Sequence, residues 1–484
     1  MPQNMRAPRT GILGRIDPGR SMDMTDLRSA ILSSDTSDLI PVLQGDVTLP
    51  RGARGAAVRA VQRGLLELGH ALHGGADGVF GASTELALRS FRGLHELLGT
   101  AVIDAVTLAR LDASLVRKES VTSYSLESSR FTTEPQLARV LTGHAPMPGR
   151  GSAVQAVQQA LLDLMYALPR YGADGAIGKE TRAAVRQFQR WQRIRPGGEL
   201  TPLTLMVLDQ VVPAPGATAT RYPEYASMIR EGVLTVTVAM GYDENDLDLS
   251  EFPQLVEGLR GAGFVSTGSL APDAVLTFSR ALDIAGHPGT MRVRLVSRAT
   301  PRPESEFAEG LIHDAVTIYA GHARYGTGPD FDSKESTAEN FVIGMGAPQH
   351  LTGALEPGYN AHMNQILRGV PNDLVSRRFD PQLDQLWVFA GCTTRNYLDE
   401  LRALVDGKDT RNLDLVVSTR PIYWRDMGTY PLELIKGLLQ GESINEILRR
   451  MCTKATATEV AVGDVHDGDA FIGDGFGDNG PVTV

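Results

Sequence analysis

The first half of the chain carries one hydrophobic pattern twice. In each copy, apolar residues recur at steps of three and four residues: Val58, Val61, Leu65 and Leu68, then Val154, Val157, Leu161 and Leu164. This spacing places each set on one face of a helix. We therefore predict two amphipathic helices, each with its apolar face buried.

A Gly-Ala-Asp-Gly turn follows each helix. Gly78 and Gly175 can adopt the positive φ that other residues avoid, and Thr84 or Thr181 can cap the next helix. Each copy then predicts a second helix around Phe91 or Phe188, and a third short helix at 107–111 or 204–208. Each copy therefore predicts a small three-helix module.

The two copies, with turns DGVFGAST and DGAIGKET, resemble the peptidoglycan-binding-domain-like family. That family combines a glycine-rich opening, a D-G-x-F-G-x-x-T turn and an A-V-x-x-F-Q helix. The resemblance implies the three-helix fold and suggests peptidoglycan as a ligand. The matching positions serve turns, caps and cores, so docking to a protein scaffold or a delivery machine remains an alternative.

The second half alternates strand-like and helix-like segments. Strands are predicted at 233–240, 291–296, 315–320, 386–390 and 413–417, with helices at 252–259, 304–312 and 396–405. This alternation favours an α/β domain with a mainly parallel sheet. The Pro- and Ala-rich stretch 211–220 reads as a linker before this domain.

Two of the predicted strands end alike. DAVTIYAGH places His322 just after one strand, and DQLWVFAGC places Cys392 just after the other. Catalytic groups gather at the carboxyl ends of strands in parallel sheets. If these strands are neighbours, the imidazole and the thiol meet there.

This arrangement resembles the caspase-like cysteine peptidases, which include metacaspases, gingipains and separases; YAGH and FAGC look most like the separase type. The resemblance implies that Cys392 is the nucleophile and His322 the base, with oxyanion contacts from backbone amides near Ala323 and Gly391. The family usually has glycine where Ala323 stands, and alanine restricts φ.

Other interpretations of the second half remain open. A cysteine after an apolar strand is often a small core residue, so the domain could be a degenerate caspase-like fold used for binding. A cell-wall hydrolase would follow from the repeats alone, but neither a zinc motif nor a glycosidase carboxylate pair is recognisable.

Charged residues near the two motifs are candidates for reading the residue before a cleavage site. Arg324 or Arg395 suits an acidic residue, and Asp330, Asp332 or Asp426 suits a basic one. The sequence does not choose between them.

The composition limits the classes of partner that we expect for this protein. The 484 residues carry a net charge of −10 and two cysteines, Cys392 and Cys452, which argues against nucleic acid and against a disulfide framework. No membrane-length apolar run and no apolar signal segment is visible, so we expect a protein made in the cytoplasm, with release by a non-classical route also possible. We expect no cofactor and no metal, because His313, His350 and His362 lack partners at zinc-finger spacing.

The predicted organisation has seven parts. They are a flexible segment at 1–38, modules at 39–115 and 137–212, linkers at 116–136 and 213–221, the caspase-like domain at 222–460, and an acidic Gly/Asp tail at 461–484.

Overall fold

A computed structural model describes residues 27–95, 97, 100–242, 248–267, 271, 273–323, 328–332, 339–343, 372–466 and 469–476. The chain divides into two compact units. One contains the helical repeats and runs to Ala217, apart from 165–172; the other contains 165–172 and the chain from Thr218. Each is described separately below.

The first repeat folds as helices around one apolar core. Its helices are α1 Ala30–Ser33, α2 Thr36–Leu43, α3 Ala56–Glu67, α4 Ala82–Leu94 and α5 Ala105–Glu119. Val58, Leu65 and Phe91 are fully buried in this core. The predicted apolar face is therefore the buried one.

The predicted flexible segment at 1–38 is folded where the structure describes it. Leu32 is completely buried in the core of the first module, and Leu39 lies beside it. The backbone amide of Ser29 donates to the Asp112 carboxylate at 2.8 Å. The α1–α2 segment is thus part of the module, with a polar anchor that the sequence pattern did not reveal.

The second repeat has the same central helices. They are preceded by α6 Ser129–Thr132 and α7 Pro135–Leu141, and comprise α8 Ser152–Asp163, α9 Lys179–Trp191 and α10 Pro202–Val211. The predicted linker at 116–136 is largely structured, since α5 runs into it and Asp209 accepts from the amides of Glu127 and Ser128. A carboxylate with two backbone donors holds this segment against α10.

One glutamine in each copy explains the motif's spacing. The Oε1 atom of Gln62 accepts from the Gly78 amide at 2.7 Å, and its Nε2 atom donates to Asp77 and Thr84. Gln158 makes the same contacts with Gly175, Asp174 and Thr181. The residues that define the repeat therefore satisfy one another inside the module.

The second unit is built on an eight-stranded sheet. Its strands are β1 Val233–Met240, β2 Val265–Ser266, β3 Leu276–Ile284, β4 His287–Val296, β5 Val316–Ala320, β6 Gln385–Ala390, β7 Leu413–Ser418 and β8 Phe471–Asp474. Its helices are α11 Tyr225–Met228, α12 Asp248–Gly261, α13 Pro303–His313, α14 Leu398–Leu404, α15 Thr429–Leu439 and α16 Ile444–Val462.

The strand order is β2-β3-β4-β1-β5-β6-β7-β8. The five central strands, β4 to β7 in this order, are parallel, whereas β2, β3 and β8 join antiparallel. The sheet is therefore mixed, and the expectation of a mainly parallel sheet holds only for its centre. After β1 the chain continues on the β4 side of the sheet, and after β5 it continues on the β6 side, so the topological switch point lies between β1 and β5. Open α/β sheets bind ligands at such a switch point.

Helices cover both faces of this sheet. One core, which we call the α15 face, contains Val316, Ile318, Leu386 and Val388 under α12, α15 and α16. The opposite core contains Tyr319, Trp387 and Phe389 under α13 and α14. Burial on both faces explains why the central strands read as continuous apolar runs.

The predicted acidic tail at 461–484 is structured at 469–476. β8 pairs with β7, and both Phe471 and Phe476 are buried. Arg402 of α14 forms an ion pair with Asp474. The high content of aspartate and glycine predicted a flexible tail, although the segment also contains the two aromatic residues that complete the sheet edge.

Candidate active site

Three neighbouring strands end in the same glycine-led step. β1 is followed by Gly241 and Tyr242, β5 by Gly321 and His322, and β6 by Gly391 and Cys392. Met240 pairs with Ala320, and Ala320 pairs with Ala390. The strand end that precedes His322 therefore lies between the strand ends that precede Tyr242 and Cys392.

The ends of β5 and β6 share one face. Ala320 and Ala390, the last residues of these strands, belong to the α15 face. The Cys392 sulfur lies 3.5 Å from the carbonyl oxygen of Ile422, which packs against that same core. The His322 ring lies 6.2 Å, centroid to centroid, from the Tyr242 ring.

The glycines permit this close approach of the strand ends. A Cβ at Gly391 would lie 2.7 Å from the Gly321 carbonyl oxygen and 3.0 Å from the Ala323 Cβ. A Cβ at Gly321 would lie 2.8 Å from the Gly241 Cα. Any larger residue would therefore force apart the turns that carry His322 and Cys392.

The turn after Cys392 is held by two buried hydroxyls. Ser418, at the end of β7, donates to the Gly391 carbonyl and accepts from the Thr394 amide at 2.9 Å. Thr394 donates to the Phe389 carbonyl at 2.6 Å and accepts from the Ser418 amide at 2.8 Å. Both residues are completely buried.

This network holds a strained residue. Thr393 has φ +55°, in the left-handed region that β-branched residues avoid. Its amide donates to the Arg420 carbonyl at 3.0 Å, and the Arg420 guanidinium pairs with Glu459 in a buried ion pair. The surrounding structure thus fixes a backbone conformation that the residue would not choose alone.

The electrostatics of Cys392 favour the neutral thiol. Burial raises its pKa above that of an ordinary cysteine. Burial, assisted by Asp426 and more weakly by Cys392 itself, also raises the pKa of Tyr430.

The charged candidates near the histidine motif differ in position. Asp330 is almost fully buried; its backbone bonds to Tyr319 and Tyr242, and its carboxylate accepts from the Asp332 amide at 3.2 Å. Asp332 accepts from the Glu339 amide. Both acids therefore bind nearby backbone. Arg324 lies outside the described residues.

The candidates near the cysteine motif also have internal partners. Asp426 is buried and accepts from the Tyr430 hydroxyl at 3.1 Å, and burial raises its pKa. Arg395 donates to the Pro169 carbonyl at 2.7 Å, within the segment 165–172 that belongs to this unit. These contacts give both side chains structural roles.

The backbone near the two motifs bears on the oxyanion expectation. Ala323 is buried, has no positive φ, and accepts from the Tyr397 hydroxyl at 3.0 Å through its carbonyl. Gly391 likewise has no positive φ. Alanine therefore fits the turn after His322 without backbone strain, and the carbonyl of Gly391 is already bonded to Ser418.

The remaining histidines and the second cysteine do not belong to the group formed by Tyr242, His322 and Cys392. His313 is an exposed residue of α13 that approaches Glu309 at 3.3 Å, and Cys452 accepts from the Phe471 amide at 3.4 Å. His350 and His362 are outside the described residues. In the described ranges, no three His, Cys, Asp or Glu side chains are grouped to hold a metal ion.

Sequence reasoning missed Tyr242, Ser418 and Thr394. A signal for Tyr242 was present, because TVAMGY repeats the strand-Gly-X ending of TIYAGH and WVFAGC. The only sequence signal for Ser418 was its position as the polar residue at the end of the apolar run LDLVVS. Its role depends on strand register, which the sequence did not provide.

Comparison with known proteins identifies the repeats. Residues 54–111 and 150–208 each match the family model described as "Putative peptidoglycan binding domain". The chain therefore carries two tandem copies of this domain. No curated protein and no solved structure matches the chain. Among the described helices, none combines the length and apolar character needed to cross a bilayer.

Proposed function

We propose that the α/β unit is a caspase-like cysteine endopeptidase, with Cys392 as nucleophile and His322 as general base. The observation that supports this proposal is the parallel pairing of β5 with β6, which brings the strand ends that precede His322 and Cys392 next to each other. A thiol and an imidazole at adjacent strand ends are the pair that acyl transfer requires.

The reaction follows from these two side chains. The imidazole takes the thiol proton as the sulfur attacks the scissile carbonyl carbon, and backbone amides near Cys392 and Ala323 stabilise the oxyanion. The imidazolium gives its proton to the leaving amine as the C–N bond breaks, leaving a thioester. Water, deprotonated by the imidazole, then attacks the thioester and releases the acid and the thiol.

The raised pKa of the Cys392 thiol favours proton transfer during the attack over transfer before substrate binds. Because burial favours the neutral thiol, a preformed thiolate–imidazolium pair is disfavoured at rest. Proton transfer to His322 accompanies attack on the bound substrate, so the substrate must first bind in the correct geometry.

The tandem helical modules bring the peptidase to its place of action. The family match supports peptidoglycan as the docking surface. The residues that define the motif satisfy one another internally, as Gln62 and Gln158 show. We therefore assign ligand contact to the outer surfaces of the modules.

A non-catalytic binding or cargo protein with a degenerate fold is the second candidate. One observation favours it, namely the raised pKa of the Cys392 thiol. Here the glycine-led turns would form a rigid binding edge and no bond would be cleaved.

A peptide-cleavage assay separates these candidates. The full chain, Cys392→Ala and the matched thiol control Cys452→Ala are incubated with fluorogenic peptides that vary the residue before the cleavage site. We expect Cys392→Ala to lose all cleavage and Cys452→Ala to retain it. Equal inertness of all three proteins, including after limited proteolysis, would transfer our support to the binding function.

A further inference from the structure

The two modules differ sharply on one exposed helix face. In α9 of the second module, Lys179, Arg182 and Arg186 are exposed and Arg190 is half-buried. These four cations follow one another at steps of three, four and four residues. That spacing places them in one row along the helix. We call this row the α9 cationic face.

The first module has no such row. The motif alignment that matches Thr84 with Thr181 sets Ala82, Glu85, Arg89 and Gly93 against the four cations. Glu85 forms ion pairs with Arg51 and Arg89. The first module's face is therefore internally neutralised, although its buried positions are the same.

The α9 cations do not share this neutralisation. In the part of the chain that the structure describes, no carboxylate lies within ion-pair distance of Lys179, Arg182, Arg186 or Arg190. The fold of the module does not require them either, because its buried contacts come from Val185, Phe188 and Gln189. Four like charges on one short helix repel one another, which a bound anion would relieve.

We propose that the α9 cationic face binds a linear phosphodiester polymer of the cell wall. This inference deepens the proposed docking role of the modules and rests on it. It assigns anion binding to the second module alone.

The spacing of the cations argues for this partner. Steps of three and four residues separate successive cations by about 4.5 to 6 Å along the helix axis. A polymer with one phosphate in each short repeat presents charges at similar intervals, so several ion pairs form without bending the chain. Stem-peptide carboxylates occur in irregular clusters and alternate with amines, which suits the row less well.

The net charge of −10 makes this proposal more specific about where the polymer binds. A protein of this charge is repelled by polyanions over most of its surface, so binding depends on a local cationic region. Three phosphate contacts would make the logarithm of the affinity fall with the logarithm of salt concentration with a slope of about −2 to −3.

Sacculi that carry poly(glycerol phosphate) provide the test, before and after hydrofluoric acid removes the phosphodiester polymer. Three full-length proteins are compared by co-sedimentation across a salt series. They are the wild type, the α9 variant Lys179→Gln/Arg182→Gln/Arg186→Gln, and the control Arg51→Gln/Arg63→Gln/Arg89→Gln, which removes the same charge from the first module.

We expect the α9 variant to bind intact sacculi about tenfold more weakly, with a salt slope shallower by about 2 to 3. The control should change less than twofold. Hydrofluoric acid treatment should lower wild-type binding to that of the α9 variant. Circular dichroism of both variants checks that the helices remain folded.

The other outcomes separate the two ideas. If the wild type and the α9 variant bind intact sacculi equally, or if acid treatment changes nothing, the phosphodiester inference is overturned while peptidoglycan binding stands. If the wild type binds neither preparation, calorimetry with soluble poly(glycerol phosphate) decides. If the wild type binds the soluble polymer and the α9 variant does not, the phosphodiester inference is supported and peptidoglycan docking is rejected. If the wild type does not bind the soluble polymer, both hypotheses are rejected.

Discussion

At the scale of single residues, the candidate site depends on the backbone around Cys392, its proposed nucleophile. Cys392 follows a tight strand end, and the next residue, Thr393, has φ +55°. Ser418 and Thr394 supply the hydrogen bonds that hold this turn. These hydroxyls touch no substrate in the proposed mechanism, so we regard them as positioning residues.

Ser418→Ala should impair catalysis more than folding. The change leaves the Thr394 amide and the Gly391 carbonyl without their bonds to the Ser418 hydroxyl, at a cost of about 1 to 3 kcal/mol in unfolding free energy. A small shift of the nucleophile should lower kcat by about 10- to 100-fold while KM changes little. Steady-state kinetics and melting temperature measure the two effects.

Thr317→Val is the matched control for Ser418→Ala. Thr317 is buried in β5, and its hydroxyl has no hydrogen-bond partner among the described residues. We expect kcat of the Thr317→Val variant to be nearly unchanged. We also expect its Cys392 to be alkylated at the wild-type rate at each pH, which peptide mass mapping measures. Equal alkylation profiles for Ser418→Ala and wild type would show that the hydroxyl does not position the thiol.

At the scale of elements, the first module contains a buried pair of histidines. His70 and His95 flank Phe91, with ring centroids 5.8 Å and 4.4 Å from it. Burial lowers the pKa of His70 to about 4 and that of His95 to about 3, with nearby arginines adding to both. In the second module, Tyr166 and Gln192 occupy the matching positions.

This pair predicts acid sensitivity of the first module. The unfolded pKa is about 6.5 and the folded values are lower, so the unfolded chain binds more protons and stability falls as pH drops below 6.5. From pH 7.5 to 5, each histidine should cost about 1 to 2 kcal/mol.

The double substitution His70→Tyr/His95→Gln copies the second module and should reduce this pH dependence. Hydrogen exchange of α3 and α4 at pH 7.5 and 5 measures it in the full chain. An unchanged difference between the two pH values in the variant would assign the acid sensitivity to other groups.

The sequence was most informative where periodicity was strong. The helices of both repeats and the strands β1, β5, β6 and β7 lie where their apolar patterns predicted them. It failed for β3, whose half-exposed residues carry no continuous apolar run, and whose turn to β4 is built from Ala285 and Gly286 at positive φ. Alanine rarely adopts that conformation, so no turn signal was visible.

The sequence was enough to propose His322 and Cys392, which remain predictions, but not to find the hydrogen bonds that support the Cys392 turn. Two glycine-led strand ends singled out His322 and Cys392, while the hydroxyls of Ser418 and Thr394 meet across a register that periodicity does not encode. The charged candidates Asp330 and Asp426 were indistinguishable from surface charges in the sequence, and both are buried.

At the scale of the whole molecule, the chain contains two compact units with separate cores. One carries the repeats and the other carries the sheet. Units with independent cores unfold as separate cooperative steps when their mutual interface is small. The proposed division between docking and catalysis follows the same boundary.

We therefore expect two transitions in scanning calorimetry of the full chain. At pH 5, His70→Tyr/His95→Gln should raise the midpoint of one transition, and Ser418→Ala should lower the midpoint of the other. A shift of the same transition by both variants, or a single transition with equal calorimetric and van't Hoff enthalpies, would indicate one cooperative unit.

The position of β8 has a consequence for synthesis of the protein. β8 is the last strand along the part of the chain that the structure describes, and it covers the outer edge of β7, whose final residue, Ser418, holds the Cys392 turn. While the ribosome still encloses β8, the edge of β7 is open to pairing with other chains. The nascent polypeptide thus acquires a protected edge beside the Cys392 turn only after Phe471 has emerged, about 80 residues after Cys392 itself.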